Sequence, residues 1–229
     1  MSIFQQLASK PWLSQGLPTP LGLTDQPDIA NLSAKTALKF FLAVVTVIFF
    51  LFTVTLLQRS QVFDFQALSG KPWLPFNDLS LLWENTVLLF SASVCLAMSN
   101  YYGKSNTKLL FLCLVAAFIF TTVFVVSQLN VWQYLNHLGF AINDNPANSY
   151  FFLLTGVHGL HIIGGMFALT RVIYLYHKSK THQQLFLAIK LCALYWHYLF
   201  LIWLFLFFLL TRSASAFKTI ALLCGFAAE

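Results

Sequence analysis

Five long apolar runs recur along the chain, separated by short polar stretches. A helix rises 1.5 Å per residue, so about 20 residues cross roughly 30 Å of hydrocarbon. The pattern predicts transmembrane helices over Thr36–Leu57, Leu79–Tyr101, Leu109–Leu129, Tyr150–Tyr176 and Leu191–Thr211. The runs are continuous rather than alternating, and they are longer than barrel strands, which argues against a β-barrel. The expected fold is therefore all-α and polytopic. An N-terminal cytoplasmic or interfacial segment (1–35) precedes the five-helix domain (36–211), and a C-terminal tail (212–229) follows it. The tail is too short to span. Pro11, Gly16, Pro18, Pro20 and Pro27 make the first segment irregular, with room for a short interfacial helix near Ile3 to Leu7. That segment lacks a basic start followed by an apolar core, so the first span is expected to act as its own uncleaved insertion signal.

Composition sharpens this picture. Hydrophobic residues make up 59% of the 229 and charged ones 9%, against roughly 25% charged in soluble chains. So little charge cannot coat a water-soluble globule. The net charge of +6 does not signal nucleic acid, because the cations sit in short loops where they act as topology signals. With the N-terminus inside, the inner segments hold Lys10, Lys35, Lys39, Lys104, Lys108, Arg171, Lys178, Lys180 and Lys190. The outer segments hold only Arg59, Lys71, Arg212 and Lys218. The expected orientation is N-terminus in, C-terminus out. Cys95, Cys113, Cys192 and Cys224 are scattered without a C-x-x-C pair, and neither a disulfide nor a thiolate metal site is expected. The tetrapeptide KPWL occurs at 10–13 and 71–74, each copy placing a Trp suited to a membrane surface.

Ionisable groups inside a bilayer are costly and draw attention first. Arg171 lies about one turn from the inner end of its helix and can snorkel to lipid head groups. Glu84 lies about 7–8 Å below the outer surface by helix rise; it serves structure, or it handles protons. In the run TGVHGLHIIGG, His158 and His161 fall about 60° apart on a helical wheel. Gly165 and Ala168 extend that face, and Gly156, Gly159 and Gly164 thin the helix nearby, which suits close helix packing with imidazole hydrogen bonds to a neighbour. The competing reading is metal or haem ligation by His158, His161 and His197. The depths of His161 and His197 differ by several ångström, roughly, by helix rise, and no Cys or carboxylate accompanies the pair.

These residues resemble a known family. YFFLLTGVHGLHIIGG, followed by YWHYLFLIWLFLF, is similar to the last two helices of subunit III of the haem–copper terminal oxidases, in a short five-helix bacterial form. The matching positions are Gly156, His158, Gly159 and His161, then Trp196, His197 and Trp203, with looser agreement across 36–211. The resemblance implies a subunit without an active site or cofactor, in a proton-pumping respiratory complex of the bacterial inner membrane. Haem and copper belong to partner subunits. The implied partners are subunit I directly, then subunit II and a small fourth subunit, together with bound phospholipid. Glu84, His158, His161, Trp196, His197 and Trp203 are then bundle, partner or lipid contacts. Val45 and Phe200 stand where many members carry acids, which argues against a proton-handling role for this chain. A related accessory protein of nitric-oxide reductase systems and a bis-histidine haem electron carrier are the alternatives.

Overall fold

In the computed structural model the backbone is described for residues 26–68, 79–102, 106–178, 182–223 and 225. Six helices occur among them: α1 (Gln26–Arg59), α2 (Ser80–Tyr102), α3 (Thr107–His137), α4 (Pro146–Lys178), α5 (His182–Leu210) and α6 (Ala214–Leu223). The first five are long and apolar enough to cross a membrane. The chain forms two compact units, residues 1–37 and 38–229. Of the first, residues 26–37 are described and are helical. Both KPWL segments and the proposed helix near Ile3 lie outside the described residues.

The helices outrun the apolar runs that announced them. α1 begins ten residues before Thr36, α3 continues eight beyond Leu129, and α5 starts nine before Leu191. A bilayer surface does not stop a helix; caps do. Asn106 caps α3 by accepting from the backbone N–H of Lys108 at 3.1 Å and Leu109 at 3.2 Å. At its other end Gly139 takes φ +86°, and Phe140 N–H closes back onto the Leu135 carbonyl at 3.0 Å. The tail contains α6, which buries Phe217 and Ala221 and sets the Phe217 ring edge-on to Phe65 at 5.6 Å.

Within residues 38–229, α2, α3, α4 and α5 close a ring: α2 meets α3 and α5, and α4 meets α3 and α5. Ring neighbours run antiparallel. Along α2 and α5 the facing pairs are Trp83–Phe207, Thr86–Trp203, Phe90–Phe200 and Ser93–His197. Along α3 and α4 they are Trp132–Thr155, Phe124–His158 and Phe111–Tyr176. α1 lies against α4 and α5, through Phe41 and Phe49 on His161 and through Thr46 on the Tyr198 hydroxyl at 2.9 Å. Among the described residues of 38–229, four helices thus form a ring against which the fifth long helix, α1, is applied.

One asparagine ties the loops at the α4 N-terminus. Asn145 caps α4 ahead of Pro146, its Oδ1 accepting from Ala147 N–H at 3.1 Å. The same amide accepts from Gln66 N–H at 3.2 Å and donates to the Gln66 carbonyl at 2.5 Å. Replacing it with alanine removes a cap worth about 1 kcal/mol and two bonds of roughly 0.5–1.5 kcal/mol each. Asn145→Ala is expected to speed amide exchange across residues 60–68 at least tenfold, leaving the α2–α3 core protected. Unchanged exchange there would show that the connection is held by something else.

Candidate functional site

The membrane-embedded polar groups distribute around the helix ring according to what each can bond. Trp203, 2% exposed, sits where four helices meet. Its indole N–H donates to Thr86 Oγ1 on α2 at 2.9 Å, and Thr86 in turn donates to the Leu82 carbonyl at 2.8 Å. The Phe124 ring of α3 stands edge-on at 5.1 Å, and the His158 ring of α4 lies tilted at 5.5 Å. His158 is fully buried, and neither ring nitrogen has a hydrogen-bond partner among the described residues. An imidazole enclosed by aromatic rings packs as a flat, polarisable plate.

About two turns further along α4 from His158, Gly165 lets Trp196 in. A Cβ at this glycine would lie 2.7 Å from Trp196 Cζ3 and 2.9 Å from Tyr195 Cε1. No larger residue fits unless α4 and α5 part. Gly156 faces Trp132 at 3.4 Å, while Gly159 and Gly164 face open space. Only Gly165, therefore, is a contact that a side chain would break.

His161 turns the other way. Its Nδ1 bonds the Val157 carbonyl of its own helix at 2.7 Å, and the Tyr195 hydroxyl donates to the His161 carbonyl at 2.9 Å. Its ring lies 6.2 Å from Phe41 and 5.9 Å from Phe49. Val45 stands between those two phenylalanines, one turn from each, and is buried. Val45 is thus on the α1 face that meets His161. His197, half-buried on α5, contacts Ser93 Oγ on α2 through Nδ1. Phe200 pairs with Phe90 at 5.6 Å.

The three imidazoles do not converge. His158 faces the α3–α5 core, His161 faces α1, and His197 faces α2. No group of three His, Cys, Asp or Glu side chains placed to hold a metal ion occurs among the described residues. Glu84 and Arg171 are exposed on the helix surface, and neither has a hydrogen bond or ion pair among the described residues. Cys95, Cys113 and Cys192 are unbonded; Cys224 lies outside the described side chains.

Attention to ionisable groups alone passes over three contacts. Asn85 on α2 donates to Gln128 Oε1 on α3 at 2.8 Å, with both amides buried. Trp132 Nε1 donates to Thr155 Oγ1 at 3.2 Å. Thr86 receives the Trp203 indole. The available signal was the uncharged amide or hydroxyl inside an apolar run, since such groups in hydrocarbon seek a partner on a neighbouring helix. At the end of the first span, Arg59 grips Asp64 in the loop beyond it through two bonds of 2.6 and 2.5 Å. The guanidinium holds that carboxyl below the usual carboxylate range. The pair borders an open depression of about 510 Å³ with Asp144 and Tyr150.

Residues 30–213 match the sequence model of the family described as cytochrome c oxidase subunit III. The chain belongs to that family. Among its relatives, cytochrome c oxidase subunit 3 of Rhizopus stolonifer is 33% identical over 147 residues, 60% of this chain and 50% of the relative. The subunit 3 of Paracentrotus lividus is 35% identical over 140 residues, 58% of this chain and 50% of the relative. The cytochrome bo(3) ubiquinol oxidase subunit 3 of Buchnera aphidicola subsp. Baizongia pistaciae (strain Bp) is 28% identical over 132 residues, 58% of this chain and 68% of the relative. The matched stretch spans about half the length of the first two relatives. The family match over residues 30–213 contains the helix ring and its aromatic centre, so the subunit III assignment rests on the part of the chain whose packing has just been described.

Proposed function

We propose that this chain is a non-catalytic, cofactor-free subunit III of a proton-pumping haem–copper terminal oxidase. It stabilises the catalytic subunit and binds phospholipid, in a bacterial inner membrane with the residues before α1 inside and those after α5 outside. The observation that carries the reading is how the matched motif is used. Trp203, Trp196 and His158 are spent on joining helices of this chain, inside a segment that matches subunit III throughout. Side chains packed in that way hold a scaffold together. Electron transfer to oxygen then belongs to haem and copper on subunit I and subunit II, with a small fourth subunit beside them. The electron donor, cytochrome c or quinol, is read on those chains.

The lipid role is supported by the inner rim, where Lys108, Arg171, His177 and Lys178 are exposed beside Tyr174. Basic and aromatic side chains together suit the head-group layer of an anionic leaflet.

Affinity purification through a tag on this chain, in mild detergent, tests the assignment. A haem- and copper-bearing partner with oxidase activity is expected to co-purify, and the separated chain is expected to show no Soret band. A Soret band that follows the chain alone would overturn it. His161→Leu loosens α1 from α4 and α5 and is expected to lower partner recovery several-fold while leaving the haem spectrum unchanged. Equal recovery would count against the packing role of that imidazole.

A further inference from the structure

At the end of the bundle where α1 and α5 finish, Phe63 is 99% exposed, Leu223 84% and Leu222 61%. Single exposed apolar residues are ordinary on a protein surface; what distinguishes these is how they are held. Residues 60–65 leave α1 as a run of tight turns. Ser60 N–H bonds the Leu56 carbonyl at 2.8 Å, Val62 N–H that of Arg59 at 3.3 Å, and Phe65 N–H that of Val62 at 3.0 Å. The Arg59 guanidinium then draws the Asp64 carboxylate back through two bonds. A loop closed from 59 to 64 cannot carry its tip away from the end of α1. Phe63 is therefore kept at the level of Arg59 with its ring in the open.

α6 is fastened to the same turn. Its Phe217 ring stands edge-on to Phe65, and Phe217 and Ala221, one helical turn apart, are both buried. The exposed positions change character along the helix: Ser215, Lys218 and Thr219 come first, then Leu222 and Leu223. Between α5 and α6 the Arg212 side chain folds back, with Nε donating to the Phe208 carbonyl at 3.0 Å. Its guanidinium lies 3.8 Å from the exposed Phe208 ring, the posture of a cation at the edge of lipid. The level follows from the spans that end here, Leu32–Arg59 of 28 residues and Gln184–Leu210 of 27. They measure about 42 and 40 Å by helix rise, against about 40–45 Å for a bilayer with its head groups. Spans of that length end among the head groups.

We propose that Phe63, Leu222 and Leu223 form a foot that dips into the boundary between head groups and acyl chains at this end of the bundle, with Arg212 and Lys218 on the lipid phosphates. Apolar side chains flanked by cations suit that boundary, where hydrocarbon and anionic head groups meet within one helix diameter. Phospholipid is the occupant because the closed turn and the buried face of α6 keep these side chains where the two spans end. The inference needs the spans to cross a bilayer and does not depend on the subunit III reading.

The test uses the full chain with whatever co-purifies, in nanodiscs of phosphatidylcholine and phosphatidylglycerol. A fluorescent amino acid is placed singly at 63, at 223 and, for comparison, at 219, all exposed positions where a label disturbs no packing. Lipids brominated near the carbonyls are expected to quench 63 and 223 at least about twofold more than 219, and aqueous iodide at least about twofold less. Iodide quenching of 63 and 223 equal to that of 219 would place them in water and overturn the proposal. Protection from both quenchers would show that protein covers the foot and would overturn it equally. Asp64→Ala opens the closed turn and is expected to reduce lipid quenching at 63 by about half while leaving 223 unchanged. Unchanged quenching at 63 would remove the ion pair from the argument and with it the reason for the level of Phe63. None of these failures touches the subunit III reading, which the co-purified haem decides.

Discussion

Trp203→Ala lowers the stability of the helix ring by about 3–5 kcal/mol, the range for removing a large aromatic from a packed interior. The expectation follows from what the indole touches. It spans the ring from α5 to Thr86 on α2, Phe124 on α3 and His158 on α4, with 2% of its surface exposed. Between membrane helices the apolar effect gives little, because lipid is as apolar as leucine; packing contacts carry the association. Truncation removes contacts to three other helices at once and leaves His158 beside a void. Trp203→Phe keeps one packed ring while losing the bond to Thr86 and the remainder of the indole. It is expected to cost about 1–2 kcal/mol, of which the hydrogen bond accounts for about 0.6–1. Equilibrium unfolding in mixed micelles, followed by circular dichroism, measures both. A Trp203→Ala loss under about 1 kcal/mol would mean that the centre of the ring lies elsewhere.

Gly165→Leu is the second large effect. A first carbon at this position already meets Trp196 and Tyr195 ring atoms at 2.7–2.9 Å, and Trp196 is fully buried and cannot swing aside. Overpacking costs typically about 1–3 kcal/mol, and a leucine in this gap belongs at or above the upper end. Gly165→Ala is milder, because alanine gains roughly 1 kcal/mol in helix propensity against the same collision. Gly159→Ala provides the control: nothing lies within 4 Å of its added carbon, so the propensity gain stands alone and a small stabilisation is expected. Combining Gly165→Ala with Trp196→Leu should recover part of the loss by making room. If the double variant is as unstable as the sum of the singles, the collision is not the cause.

The helical wheel placed His158 and His161 on one small-residue face, and they are neighbours there. Sixty degrees was still enough to send one into the four-helix core and the other against α1. A wheel describes one helix and contains no information on what stands opposite each angle. The glycines show the same gap. Gly156, Gly159 and Gly164 read as thinning α4 and Gly165 as extending the histidine face, but of the four only Gly165 faces a ring closely enough to matter. That distinction depends on where Trp196 of another helix arrives.

Helix ends lie up to ten residues outside the apolar runs, because hydropathy reports the bilayer; at α3 and α4 the chain is stopped instead by hydrogen bonds around Asn106, Asn145 and Gly139. The buried Asn85–Gln128 amide pair was present as letters in two apolar runs, but its members lie 43 residues apart. Nothing local selects one amide for the other.

What the residues by themselves determined is the five helices able to cross a membrane among the described residues, their all-α class and the subunit III family. These follow from run length, from the scarcity of charge and from two ordered motifs, all of them properties of a linear pattern. Only the tertiary structure decided that four helices close a ring with α1 outside it, that Trp203 is its centre, and that His197 faces α2 while His158 faces the core. Those depend on which faces meet, and in a membrane that choice is made by the fit of side chains between helices, because the surrounding lipid offers apolar contact to every face alike.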